Sequence, residues 1–459
     1  MHNIRRFGLC SLVFLQSISA RAFDIVSFQS IHDFKRSASD GEYLNEPITE
    51  GSDGLLYGAT VNGGGPDDGG IVFRMAKSGA NYQILHAFGP LSTTNGVSPW
   101  GGVIEGNDGR LYGATREGGA ELAGTIYSLT RDGGDFKMVF SFSTNGAAGR
   151  YPMNSVIQAK DGRLYGKTLS GGVGDGCTIF GVNTDGSNFK SLHSFEHSEA
   201  ARTIAYSGLI EGSDGMLYGT TSGEGTERNG SIFRINKDGS GFQTLYFFTG
   251  QAPDGRVPDA SVTEIAGVLY GTTEGGGFDD FGVLYRINRD GTDYRVLHEF
   301  TAQNAEGYSP TSPPIEGPDG ALYGTTYFGG PEDTGSIYRI KKDGSGLAFL
   351  YTFAGTNCPA YPYSALKILS DGAFYGTTFN GLDEVYGAVF RINPVSLMLS
   401  GTSIHVNGMF GQEYAIDGKD NVEDPWQEIA RFTNLPGTDP LPVNNSKAHQ
   451  FFRARTVVP

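Results

Sequence analysis

The chain has little with which to crosslink itself, little positive charge and no long apolar run. Its 459 residues include three cysteines, and Cys10 lies in the N-terminal apolar stretch, which leaves Cys177 and Cys358. These two fall in different repeat units, and nothing in their spacing brings them together. A single disulfide between them is possible in an oxidising compartment, but two free thiols are the simpler reading. Lys and Arg total 34 against 50 Asp and Glu, a formal net charge of -16. A surface of that sign repels phosphate backbones and excludes nucleic acid as a partner. No segment approaches the roughly 20 consecutive apolar residues of a membrane-crossing helix, so no membrane span is expected. Nucleophile elbows, phosphate loops, dinucleotide fingerprints and zinc-ligand spacings are all missing.

What the chain does have is glycine, 70 residues of it, placed at fixed intervals. The tripeptide Leu-Tyr-Gly (Phe-Tyr-Gly in the last copy) recurs with its tyrosine at Tyr57, Tyr112, Tyr165, Tyr218, Tyr270, Tyr323 and Tyr375, at spacings of 55, 53, 53, 52, 53 and 52 residues. Each copy holds four short apolar runs rich in Val, Ile, Phe and Tyr, which predict four strands, a to d. Asp-Gly pairs at the a–b and c–d joints supply the positive φ that tight hairpins need. The b–c and d–a joints are longer and variable.

The ends of the repeat decide between a rod and a ring. Residues 27–34 read as a d strand with no a, b or c before it, and the seventh copy stops after c, near Asn393. Joining the ends completes seven blades, which predicts an all-β, seven-bladed β-propeller closed by an N-terminal strand over residues 23–394. Before it, residues 1–22 read as a secretory signal: Arg5 and Arg6, an apolar run from Phe7 to Leu15, and a cleavage site at Ala20-Arg21-Ala22. The expected location is therefore periplasmic or secreted, and the expected state is a monomer. After it, residues 395–459 leave the repeat and read as a small β-sandwich-like module around Trp426.

The wording LYGTT-x-x-GG, then G-x-[IV]-[FY]-R-[IL]-N-x-DG, then F-x-x-L-H-x-F resembles the GloVer tandem repeat, named for Gloeobacter and Verrucomicrobia, over about residues 25 to 393. The tail resembles the small β modules that end many verrucomicrobial exported proteins, through Tyr414, Ile416, Trp426, Phe452 and Arg453. The resemblance implies a propeller and an extracytoplasmic location. It brings no established reaction with it.

Binding sites concentrate in long variable loops on rigid scaffolds, which points to the face shared by the d–a and b–c joints. Its b–c loops are acidic: Asp67-Asp68, Glu121, Asp175, Glu227, Asp279-Asp280, Glu332-Asp333 and Asp383-Glu384. Such a ring suits calcium, although no loop has the ligand spacing of a calcium motif, and no cofactor is otherwise expected. His32, His86, His193 and His298 share one repeat position on strand d, where other copies place Phe140, Tyr246 and Tyr351. That pattern reads as packing by any planar ring rather than as a metal centre. Departures from the repeat are better candidates for chemistry. Lys167 stands where other blades have Ala or Thr, and the loop from Glu196 to Arg202 lacks the usual Gly and Pro. Lys167, expected to face the channel, His197 and Glu199 are candidate catalytic groups for acid–base work. Glu196, Arg202, Arg150, Tyr151, Arg256, Tyr308 and Tyr361 are candidate substrate-binding residues, the arginines suiting an anionic group.

Two functions follow. One is a binding or scaffold protein engaging a carbohydrate, or an extracellular protein, through the loop face. The other is a polysaccharide-active lyase or hydrolase using the loops of blades 3 and 4.

Overall fold

The computed structural model describes residues 23–456 except 38, 91–94, 145–147, 199–200, 203–206, 224–228, 303–306, 355–357 and the segments between strands beyond residue 400; side chains are described for 28–393 outside those gaps and outside 197–206. The expected signal lies outside the described residues. Contacts separate Phe28–Asn393 from a second unit that contains Pro394–Pro459.

In the larger unit, blade 1 is an antiparallel sheet of Thr49–Glu50 (a), Leu56–Thr60 (b), Ile71–Met75 (c) and Gln83–Ala87 (d), paired in that order. The a-b-c-d order recurs through blade 6, whose strands are Ile315–Glu316, Leu322–Thr326, Ser336–Ile340 and Ala348–Thr352. Blade 7 supplies only Lys367–Ile368, Phe374–Gly381 and Ala388–Ser400, and its fourth strand is the N-terminal Phe23–Asp33, which pairs with Ala388–Ser400. The chain is a seven-bladed β-propeller closed by its own first strand.

The repeated tripeptide is a packing device. Strands b and c are buried almost throughout. The glycine stands opposite a ring on strand c, as in the pair Gly219↔Phe233. A Cβ on Gly219 would lie 2.6 Å from Cζ of Phe233, and one on Gly113 2.3 Å from the Tyr127 hydroxyl. Glycine is required there because the ring lies across the backbone. The tyrosine hydroxyl donates to the aspartate of the preceding a–b turn, at 2.7 Å from Tyr218 to Asp214 and 2.8 Å from Tyr57 to Asp53. The turn aspartate thus both shapes the hairpin and satisfies a buried phenol. Blade 5 places Ala266 in its turn, at φ 50°, and has no aspartate for Tyr270. Tyr218→Phe is therefore expected to cost about 1–2 kcal/mol through its charged acceptor, and Tyr270→Phe distinctly less. Chemical denaturation of the two variants checks the contrast.

Between blades, the planar residue of strand d stacks on a ring that precedes strand d of the next blade. His86 lies on Phe136 at 4.1 Å and 9°, Phe140 on Phe189 at 4.1 Å and 5°, and His193 on Phe242 at 3.6 Å and 6°. Tyr246 lies on Tyr294 at 3.8 Å, and the series crosses the closure through Tyr351 on Phe28 and His32 on Tyr82, both at 4.1 Å. Such stacks contribute about 0.5–1.5 kcal/mol each beyond area burial. The imidazoles of His86 and His193 sit below their ordinary pKa because burial disfavours their charged form. The histidines are inter-blade packing groups, as their exchange with Phe and Tyr implies.

The face carrying the a–b hairpins is tied into a belt. Turn amides of one blade donate to the acid or amide at the end of strand a in the next: Asn107 to Gln158 at 2.7 Å, Lys160 to Glu211 at 2.8 Å and Ser213 to Glu264 at 2.7 Å. Ser370 of blade 7 donates to Glu50 of blade 1 at 2.7 Å, which carries the link across the closure of the ring.

The second unit is also all β. Glu413–Lys419 pairs with both Gln427–Thr433 and Phe451–Thr456, and Ser403–Asn407 pairs with the end of Ala388–Ser400. Trp426 lies outside the described residues.

Candidate functional site

Six of the d–a loops are held to the preceding blade at a shared position. Tyr43, Ser98, Tyr151, Val257, Ser309 and Tyr361 occupy one repeat position, and all have positive φ, between 52° and 63°. A left-handed non-glycine residue costs on the order of 1–3 kcal/mol, and Val257 is β-branched besides. The amide of each donates to the b–c loop of the preceding blade, from Tyr43 to Tyr386 at 2.7 Å and from Val257 to Asn229 at 2.8 Å, for example. Several of their carbonyls accept from the chain just after strand b, as Val257 does from Glu274 at 3.0 Å. These bonds fix the stretch of those six loops that leads into strand a.

One position earlier stand Arg150, Arg256 and Tyr308. Each engages the aspartate of the b–c loop of its own blade. Arg150 Nη2 lies 2.8 Å from both Asp175 carboxylate oxygens, Arg256 Nε 2.7 Å from Asp280, and the Tyr308 hydroxyl 2.8 Å from Asp333. These aspartates are left-handed and accept the amides of Gly171, Gly276 and Gly329 at 2.8–2.9 Å. They build their loops. Among the described residues, no three His, Cys, Asp or Glu side chains gather into a metal-binding group. Tyr151 lies under the Arg150 guanidinium, 5.6 Å from its ring centre. Cys177 is buried and Cys358 half-buried, and neither is in a disulfide.

Lys167 is 2% exposed, wedged between blades 3 and 4. The expectation that it faces the channel is corrected: the neighbouring blade covers the position. Its Nζ donates to the Ser207 hydroxyl and the Thr220 carbonyl, both at 2.8 Å, and sits 5.7 Å from the Phe233 ring centre. Burial pushes the amine down to about 7, with Cys177 and Asp259 holding it up in part. Between that value and the unfolded pKa near 10.5 the unfolded chain holds the extra proton, so this group's contribution to stability rises with pH through the window. Lys167→Thr is therefore expected to stabilise the protein at pH 6 by on the order of a few kcal/mol, and the gain should shrink toward pH 9.5. Melting curves across that range check it. Glu196 is exposed at the start of its loop. The backbones of His197 and Arg202 pair with each other; their side chains and all of Glu199 lie outside the described residues.

Tyr308 and Tyr361 belong to a larger feature. Nine half-buried rings form a continuous arc over blades 5 to 7 and on to the first d–a loop. It runs from Phe281 to Tyr308 (4.6 Å between centres), Phe328 (5.5 Å), Tyr361 (6.1 Å), Tyr327 (5.2 Å) and Tyr363 (6.0 Å), then to Phe379 (6.0 Å), Tyr43 (5.1 Å) and Tyr386 (6.2 Å). Beside it lies an acid pair. The amides of Asp259 and Glu274 both donate to the Val257 carbonyl at 3.0 Å, which holds the two side chains together. Ser222 donates to the Asp259 carboxylate. Burial pushes Asp259 up to about 7; the Ser222 hydroxyl holds it back, Glu274 adds to the rise and Lys167 opposes it. The Tyr363 phenol is raised first by burial and then by Asp259, Glu274 and Glu46, and Tyr327 by burial, Tyr361 and Glu274. Glu46, from the first d–a loop, is pushed up to about 7 by burial, against hydrogen bonds from Asn154 and Ser155 and the charge of Lys367. The carboxyls and phenols thus converge from blades 1, 5, 6 and 7. Asp259 breaks the repeat as Lys167 does: other loops place Asn45, Trp100, Met153, Thr311 and Tyr363 there. That was the available signal.

The family model of the Gloeobacter/Verrucomicrobia repeat matches residues 20–206 and 205–415. The chain belongs to this repeat family. Among solved structures, it is similar to the extracellular domain of a one-component system from B. thetaiotaomicron, at 12% identity and TM-score 0.51, over 93% of this chain and 48% of that one. The chain thus spans about half the length of that protein. It is also similar to an oligogalacturonate lyase in complex with manganese (11% identity, TM-score 0.48, 83% of this chain and 99% of that one) and to a PL25 ulvan lyase (10%, 0.47, 82% and 97%). At these identities the likeness is one of fold. No curated protein matches the sequence. No helix among the described residues is long and apolar enough to cross a membrane.

Proposed function

We propose that this repeat-family member is an exported glycan-binding protein whose d–a/b–c face is the binding surface. The observation that carries the reading is the arc of nine half-buried rings from Phe281 to Tyr386. Sugar rings present apolar C–H faces that lie on aromatic rings, and their hydroxyls donate to nearby carboxylates. Both partners are present: the rings are partly open, and Asp259, Glu274 and Glu46 lie beside them. Backbone hydrogen bonds hold Tyr43, Tyr361 and Ser309 beside Tyr308 in place, which lowers the ordering cost of binding. Export is supported by the signal-like residues 1–22, with Arg5 and Arg6 before the apolar run.

A second reading, a polysaccharide-active enzyme, draws on the raised Asp259 beside Glu274. Those two carboxyls are within hydrogen-bonding reach of each other, whereas glycosidase pairs stand about 5–9.5 Å apart to admit a sugar or water. Binding is thus the better-supported reading. A glycan array, with and without EDTA, followed by product analysis of every hit, tests it. Retention of an intact oligosaccharide is expected; release of shortened or unsaturated products would favour the enzyme.

A further inference from the structure

We infer that the arc selects glycans free of carboxylate and sulfate groups. The inference rests on the proposed glycan-binding role and adds the substrate class. A uronic-acid or sulfated chain laid on the arc needs a cation to meet each acid group. Among the described residues of this face, the cations beside the middle of the arc are committed elsewhere, and the exposed Lys35 and Arg36 lie in the first d–a loop at its Tyr43 end, Arg36 3.7 Å from Glu42. Arg150 is held by Asp175 and Arg256 by Asp280. Arg116 lies over the Trp100 ring at 5.1 Å, with Glu117 at 3.8 Å. Lys167 is buried beneath the surface, and Lys367 faces Glu46.

Above about pH 7, where burial no longer keeps Asp259 and Glu46 protonated, what the arc presents to a ligand is of the opposite sign. Tyr363 is bordered by Asp259, Glu274 and Glu46, and Tyr327 by Glu274. At the far end, Tyr43 is bordered by Glu42 and Asp68, with Arg36 opposing them. The whole chain carries a formal charge of -16, so no long-range field offsets these groups. Carboxylates accept hydroxyl protons from a neutral sugar and repel a second carboxylate. The arginines that the sequence offered as anion holders serve the loops instead.

The test is titration calorimetry of the full chain at low salt and about pH 8.5, above the raised titration of Asp259 and Glu46. The probes are neutral hexasaccharides (β-glucan, mannan and galactan fragments) and hexagalacturonate. At least one neutral probe is expected to bind, with hexagalacturonate at least tenfold weaker. Glu274→Gln, an exposed position that the fold tolerates, is expected to narrow that gap roughly 3- to 10-fold by removing one repelling charge. Hexagalacturonate binding within tenfold of the best neutral probe, or a gap unchanged in the variant, overturns the inference and leaves glycan binding standing. If none of the probes binds, the proposed function fails together with it.

Discussion

Removing residues 23–34 is expected to abolish the cooperative thermal transition of the propeller, not to trim its edge. The first strand joins three blades. Phe28 stacks on Tyr351 of blade 6 at 4.1 Å and lies 5.5 Å from Phe390 of blade 7. Phe34 is fully buried and meets Phe73 of blade 1 edge-on at 5.2 Å. Its amide donates to Gly387 and its carbonyl accepts from Tyr386, both at 2.9 Å. Without the strand, blade 7 has an open edge and blades 6 and 1 expose aromatic faces. A milder probe is Phe34→Ala, for which a loss of about 3–5 kcal/mol is expected. Circular-dichroism melts of the deletion and the point variant measure both effects. A deletion variant that melted within a few degrees of the full chain would show that the ring is closed by something else.

Tyr327→Ala is expected to weaken oligosaccharide binding by about 10- to 100-fold, the range of a central aromatic anchor. Tyr327 lies at the middle of the arc, touching Phe328 at 4.7 Å, Tyr361 at 5.2 Å and Tyr363 at 6.0 Å. Its loss would separate the arc into two pieces. Because the ring is half-buried, the cost to folding should be small beside the cost to binding, and Tyr327→Phe should keep most of the affinity. Ser213→Ala, in the hairpin belt, serves as a control that should leave binding unchanged. Calorimetry with the best array hit reads all three. Equal losses in Tyr327→Ala and Ser213→Ala would mean that stability, not contact, had been measured.

The architecture was legible because a repeat states the same constraint seven times. Blade number, the closing strand and the packing role of His86 and His193 all follow from comparing copies. The pairing of Arg150 with Asp175 and of Arg256 with Asp280 was legible in principle, since each joins homologous positions about one loop apart. It was missed because an arginine and a distant aspartate look available until the loop between them is folded. Asp259 and Glu274 show the harder limit. They meet because both amides seek the carbonyl of one left-handed valine, and no spacing rule announces that. The arc was visible only as single residues, Tyr308 and Tyr361; its other members sit in strand extensions and loops that the fold alone aligns. Lys167 was marked correctly as foreign to its position, but its direction depended on the neighbouring blade.

The most direct test of the account is a crystal structure of the chain with the oligosaccharide that the array selects. Sugar rings lying on Tyr327, Tyr361 and Tyr363, with hydroxyls directed at Asp259 or Glu274, are the expected result. A sugar bound on the a–b hairpin face, or on the C-terminal module with the arc empty, would contradict it.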